Sequence, residues 1–229
     1  MTWVRSLARR GTLVTTLTLL VAAPALAHHV GAYVPRDNEI SANFKQIKFS
    51  LQARKFDVAL RLFDASALRA EMQAQASRLP AGLEAATRAA LAASDAPRAE
   101  RGLMIFFAAL VRDLALEADR RVADPREPAA ARAAAGQKFL EAIWRYYNLV
   151  DFAVSQNDPR AAVAVRLAYD EAEGYAQGAG APAGAAATET RQAPPRPAAP
   201  PQPDKMREPL QRMARTLSGL IDSSTLAMR

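Results

Sequence analysis

The chain has two histidines, and they are adjacent: His28 and His29. If it is cut just before them, His28 becomes the N-terminal residue. The free α-amine, two imidazoles and the amide between them then gather nitrogen donors of the kind that suits copper(II) or nickel(II). Carboxylates are the next candidates. Asp113 and Glu117 are four residues apart, and Asp170, Glu171 and Glu173 cluster further on. A di-iron or di-manganese centre in a helical bundle takes carboxylates from facing helices together with Glu-x-x-His pairs. No histidine lies in any predicted helix, and Arg112, Arg120 and Arg121 stand beside Asp113 and Glu117. Glu117 and Arg121 have the spacing of a helical ion pair, so these carboxylates read as solvated salt bridges. Asp151 lies one turn from Tyr147 and two from Trp144, and it needs a polar partner if that face is buried. Trp144, Tyr147, Asp151 and Tyr169 form a candidate ligand pocket, against which stands the plainer reading of aromatics packed as core.

Other chemistries fall away. With no cysteine in the chain, thiol catalysis, Cys-ligated zinc, iron–sulfur clusters, c-type haem attachment and disulfides are all excluded. A Ser-His-Asp triad would have to recruit His28 or His29. No glycine loop for phosphate is present. Gly102-Leu103-Met104 is similar to part of a motif of lytic transglycosylases. The glutamate-serine pair and the glutamine that accompany that motif are missing, which removes the match. The His28 arrangement resembles the N-terminal histidine of copper-dependent polysaccharide monooxygenases, but those sites use a further histidine that this chain lacks. The sequence therefore carries no catalytic motif.

The N-terminus has the layout of a cleavable export signal over residues 1–27. Arg5, Arg9 and Arg10 precede an apolar run from Thr12 to Ala23, then Pro24 and the triplet Ala25-Leu26-Ala27. That triplet is the pattern a signal peptidase reads, and it places the cut before His28. The apolar run is shorter than the ~20 residues a membrane span needs. The expected location is periplasmic or secreted, in a bacterium, with no transmembrane segment after cleavage. The formal charge is +7, and three of the arginines leave with the leader. The remaining basic residues are interspersed with Asp and Glu, which argues against nucleic acid as a partner.

The elements that must position these residues are all helical. A lead-in over 28–37, with Gly31 and Pro35, precedes an all-helical domain over 38–177, read as a bundle or an antiparallel hairpin array. Ile40, Phe44, Ile47 and Leu51 share one face of its first helix, with Asp37, Asn38 or Ser41 as cap. A second helix is expected to start at Asp57 and to carry Val58, Leu62, Leu68 and Met72. This hairpin of about 35 residues is locally similar to a tetratricopeptide unit. Arg54 stands where that repeat has glycine and no second copy follows, so it is read as an ordinary helical hairpin. Leu83 to Ala93 predicts a short helix. Longer ones are predicted from about Pro97 to Val122, with Leu103, Phe107, Leu110 and Leu114 on one face, and from about Ala129 to Gln156, with Phe139, Ile143, Tyr146 and Val150. Asp158-Pro159 starts the next, to about Gln177.

From 178 to 203 the composition turns to Gly, Ala and Pro, predicting a disordered linker. A last amphipathic helix is predicted over 204–229. Met206, Leu210, Met213, Leu217 and Leu220 follow a heptad there, offering a face for docking on another envelope protein or a second copy. The alternative is that this face folds back on its own domain.

The reading these features favour is an exported, non-catalytic accessory or binding protein acting through protein–protein contacts, with no cofactor. The alternative is a copper-type metal-handling protein using His28 and His29. N-terminal sequencing of the exported form is expected to begin at His28. Copper(II) titration of that form separates the two readings. A new visible absorption band supports the metal site, and an unchanged spectrum leaves the histidines as ordinary polar residues.

Overall fold

The structure is a computed structural model and describes residues 37–178 and 200–228. The expected leader, the lead-in with His28 and His29, and all but the ends of the 178–203 linker lie outside the described residues. The described residues belong to one compact unit, which spans residues 33–229. They form eight helices and no strand, so the fold is all-α: α1 (Glu39–Gln52), α2 (Phe56–Asp64), α3 (Ala67–Ala74), α4 (Leu83–Ala92), α5 (Ala96–Val122), α6 (Ala129–Asn157), α7 (Pro159–Gln177) and α8 (Pro203–Leu226). No helix among the described residues is long and apolar enough to cross a membrane.

Four of the eight described helices start on a side-chain cap. Asn38 and Ser41 form a reciprocal box at α1: the Asn38 Oδ1 accepts from the Ser41 N–H at 2.9 Å, and the Ser41 Oγ accepts from the Asn38 N–H at 2.9 Å. Ser66, Asp95 and Asp158 cap α3, α5 and α7 by accepting from the backbone N–H of Arg69, Arg98 and Ala161. Each such cap satisfies a backbone donor that the first turn leaves orphaned. Two helices end without the glycine this geometry favours. Arg54 (φ 55°) and Ser94 (φ 58°) both take the left-handed conformation. The Lys55 N–H then reaches back to the Ser50 carbonyl at 2.8 Å, and the Asp95 N–H to the Ala90 carbonyl at 2.9 Å, closing each helix with a Schellman bond.

The structure corrects the expected second helix. Asp57 is not its cap but sits in the first turn of α2, paired with Arg61 at 3.0 Å. The expected helix is also two, α2 and α3, broken at Ala65-Ser66. There the Ser66 hydroxyl donates to the Phe63 carbonyl at 2.7 Å and also caps α3. A serine that bonds backbone on both sides offers the chain an alternative to continuous helix.

α5 is the axis. It packs against α4, α6 and α8, and at its middle against α1; α8 lies between α5 and α7. The second correction concerns α8. Met206, Leu210, Met213 and Leu217 are fully buried and Leu220 nearly so, so the face expected to dock on a partner is spent inside the chain's own core. Burying each such side chain contributes about 1.5–3 kcal/mol. Charged contacts mark its position along the bundle. Arg132 holds Asp204 at one end (2.6 Å), while Arg207 and Gln211 hold Asp119 (2.9 and 3.0 Å). At the other end Arg98 and Arg101 donate to the Met228 and Ala227 carbonyls at 2.6 and 3.0 Å.

Close helix approach is set at two glycines. A Cβ on Gly102 of α5 would lie 2.1 Å from the buried Thr87 Oγ1 of α4, and one on Gly136 of α6 would lie 2.5 Å from the Met206 Cε of α8. Gly219 on α8 has nothing within 4 Å of its Cβ position. Gly102→Ala is therefore expected to cost about 1–3 kcal/mol by overpacking. Gly219→Ala, which only restricts the unfolded chain and favours helix, is expected to gain about 0.5–1 kcal/mol. Urea denaturation of the two variants checks both signs.

Candidate functional site

Antiparallel packing of α6 and α7 brings the four proposed pocket residues to one seam, where they are used on one another. The Trp144 and Tyr169 rings lie 5.0 Å apart at 34°. The Tyr147 side chain is buried, its hydroxyl 3.4 Å from the Ala162 carbonyl. Asp151 receives both Nε and Nη2 of Arg166, and Arg166 also reaches the Ser155 hydroxyl at 3.2 Å. Burial first, and the negative charge of Asp151 second, push the Tyr147 hydroxyl far above its ordinary pKa. A neutral phenol and a carboxylate neutralised by arginine have no free group to offer a ligand. The partner that Asp151 needed is Arg166, one antiparallel neighbour away.

The carboxylates behave as ion pairs. Asp113 accepts from the Arg112 Nε at 2.9 Å with Arg78 at 3.7 Å. Glu117 accepts from Arg120 and Arg121, whose hydrogen bonds hold its carboxyl below the usual range. Glu171 pairs with Arg212 of α8. No group of three metal-binding side chains occurs among the described residues. Glu173 is different. Burial, reinforced by the charge of neighbouring Asp170, raises its carboxyl pKa against hydrogen bonds from Gln137 and Tyr169 that lower it. The Asp170 carboxyl is itself raised by burial.

An open groove lies on the other side of α6. Between α5 and α6, near the start of α1 and the end of α3, is a cleft of about 620 Å³. Its apolar floor includes Ile40, Leu110, Leu114, Phe139 and Tyr146, and Glu71, Arg78, Asp113, Glu117 and Arg120 also line it. Leu114 and Phe139 are shared with a second cleft of about 410 Å³, completed by Arg121, Ala135, Lys138 and Ala142. Together they make a continuous trough along two antiparallel helices. The groove starts where α1 stops filling the α5–α6 seam. Phe44 of α1 packs on Phe107 (4.9 Å), Phe107 lies 5.8 Å from Tyr146, and the Tyr146 hydroxyl accepts from the Asn38 Nδ2 at 2.8 Å. Beyond Asn38 no described residue continues that line. The volume falls in the range of ligand clefts, about 300–1,000 Å³.

Leu114 and Phe139 were legible in the sequence as apolar positions at helical spacing, but as core. Both are only half-buried, and Leu116 at the lip is 39% exposed. Periodicity identifies the face of a helix that wants burial; it does not say where along that face the neighbouring helix stops providing it.

The raised Glu173 carboxyl carries a test of the α6–α7 seam. An acid whose native pKa lies above its unfolded value keeps its proton longer in the folded state. The unfolded chain then holds fewer protons, and stability falls as pH rises through that window. The groups that act on the Glu173 carboxyl are Asp170, Tyr169 and Gln137. Glu173→Gln is expected to raise the thermal midpoint at pH 7 and to change it little below about pH 4, where the carboxyl is protonated in both states. Circular dichroism melts at the two pH values check the difference. Compared with models of protein families, with curated proteins and with solved structures, the chain matches none, and the site is read from its own geometry.

Proposed function

We propose that this chain is an exported, non-catalytic helical accessory protein that binds another envelope protein, and that the α5–α6 groove is the binding surface. One observation carries the reading: a continuous apolar floor, framed by charged side chains, that no described residue covers. An apolar centre within a polar rim is the anatomy of a protein-binding patch. The heptad face of α8, the first candidate for such contacts, is occupied within the chain and drops out. The ion-paired carboxylates of the rim contribute polarity and register.

The test is site-specific photo-crosslinking in the native envelope. A photoreactive residue at Leu116, on the lip of the groove, is expected to give a discrete adduct. The same residue at Arg61, on the exposed face of α2, is expected to give none. Adducts of equal intensity from both positions, or from neither, would remove the groove as the binding surface.

A further inference from the structure

The trough is not uniform along its length. At the Tyr146 end Asp113 is paired with Arg112 and Arg78 and Glu117 with Arg120 and Arg121, while Glu71 accepts from the Gln75 amide. At the far end the charged lining residues are Arg121 on the α5 wall, which shares the Glu117 carboxylate with Arg120, and Lys138 on the α6 wall, with Leu114, Ala135, Phe139 and Ala142 between them. Arg121 is 66% exposed and Lys138 is also exposed. An apolar floor is therefore flanked on both walls by a cationic side chain, and because one Glu117 carboxylate is shared by two guanidiniums, Arg120, Arg121 and Glu117 together stay net positive. From Leu110 to Arg121 the floor runs for about 16 Å at 1.5 Å per residue. That length corresponds to about three turns of helix.

From this, and resting on the binding reading above, we infer that the partner segment is an amphipathic helix with acidic residues on both flanks of its apolar stripe, laid along α5 and α6 as a continuation of the line of α1. Two features commit the surface to that occupant. The first is continuity: α1 already lies in the adjoining part of the same seam as a helix, burying Phe44 and Ile47, and its Ile40 lines the open cleft. The second is charge: a helix seated with its apolar stripe on Leu114 and Phe139 places its flanking positions against Arg121 on one side and Lys138 on the other, as flanking charges do in paired helices. Acidic flanks are attracted on both sides; basic flanks are repelled on both.

The test uses the whole chain without its leader and two fluorescein-labelled synthetic helices of eighteen residues. Both have leucine at i, i+3, i+4 and i+7; one has glutamate at the flanking positions and the other lysine. Fluorescence anisotropy is expected to show the acidic peptide binding about tenfold tighter at low salt, with the gap closing as salt is raised. The double change Arg121→Glu and Lys138→Glu, both at exposed positions, is expected to reverse the preference while leaving the circular dichroism melt in place. Equal affinity for both peptides, or no binding of either, overturns the inference. So does binding that appears only after residues 28–36 are deleted, which would give the groove to the chain's own preceding segment. Self-association that excludes the acidic peptide would give it to a second copy and overturns it too. A Leu116 adduct obtained alongside any of these results leaves the binding surface standing and removes only the acidic helix.

Discussion

From Gly102 to Val111, every residue of α5 is buried. A helix that is apolar on one stripe can rest on a single neighbour, but one buried around its whole circumference must be enclosed. Most of the architecture follows from that requirement. α4 approaches at Gly102, where there is no Cβ to hold it off. α6 runs antiparallel along one side, α1 contributes Phe44 against Phe107, and α8 closes the remaining side. The last of these is the least local. α8, far along the chain from α5, supplies a helix without which α5 would present a flank to water.

The return is held by two kinds of interaction with different roles. Met206, Leu210, Met213 and Leu217 are buried completely, each contributing about 1.5–3 kcal/mol. The ion pairs that accompany them, Arg132–Asp204 and Arg207–Asp119, each have a solvent-exposed member, and such pairs contribute about 0–1 kcal/mol. Packing therefore supplies the affinity of α8 for its slot. The guanidiniums fix which turn of α8 faces which turn of α5, because a slide of one turn would break Asp204, Asp119 and the carbonyl contacts of Arg98 and Arg101 together. With no cysteine to staple the chain, a core closed by its most distant segment has a cooperative logic: the bundle is complete only when the whole chain is.

The groove is the complement of this closure. α5 and α6 are long, 27 and 29 residues, whereas α1 is 14 residues long and begins at Asn38, opposite Tyr146. One face of the long pair is therefore covered for only part of its length. The far part keeps an apolar floor because it continues the same stripes that form the core lower down, and it is rimmed with arginine, lysine and acids that keep the lips hydrated. A binding surface of this type needs no special motif. It is made by unequal helix lengths.

That origin explains what could be read in advance. The helical periodicity, the caps at Asn38 and Asp158, and the helix starts near Pro97 and at Pro159 are local properties of the chain, and the helices stand close to where these signals put them. The break at Ser66 was missed because a serine inside an apolar period tells nothing of whether its hydroxyl bonds backward or points to solvent. The ion pairing of Asp113 and Glu117 was legible because their partners lie within a turn. Arg166 for Asp151 and Arg98 for the end of α8 were not, since they depend on which helices become neighbours. By itself the sequence determined that this protein is a cysteine-free set of amphipathic helices with no catalytic motif. Only the tertiary structure decided that the heptad of α8 faces inward, that the aromatic seam is packing, and that Leu114 and Phe139 line an open trough. Apolar spacing states that a face must be covered; which chain segment covers it, and where the cover ends, is fixed by competition among all the helices for the same buried surface.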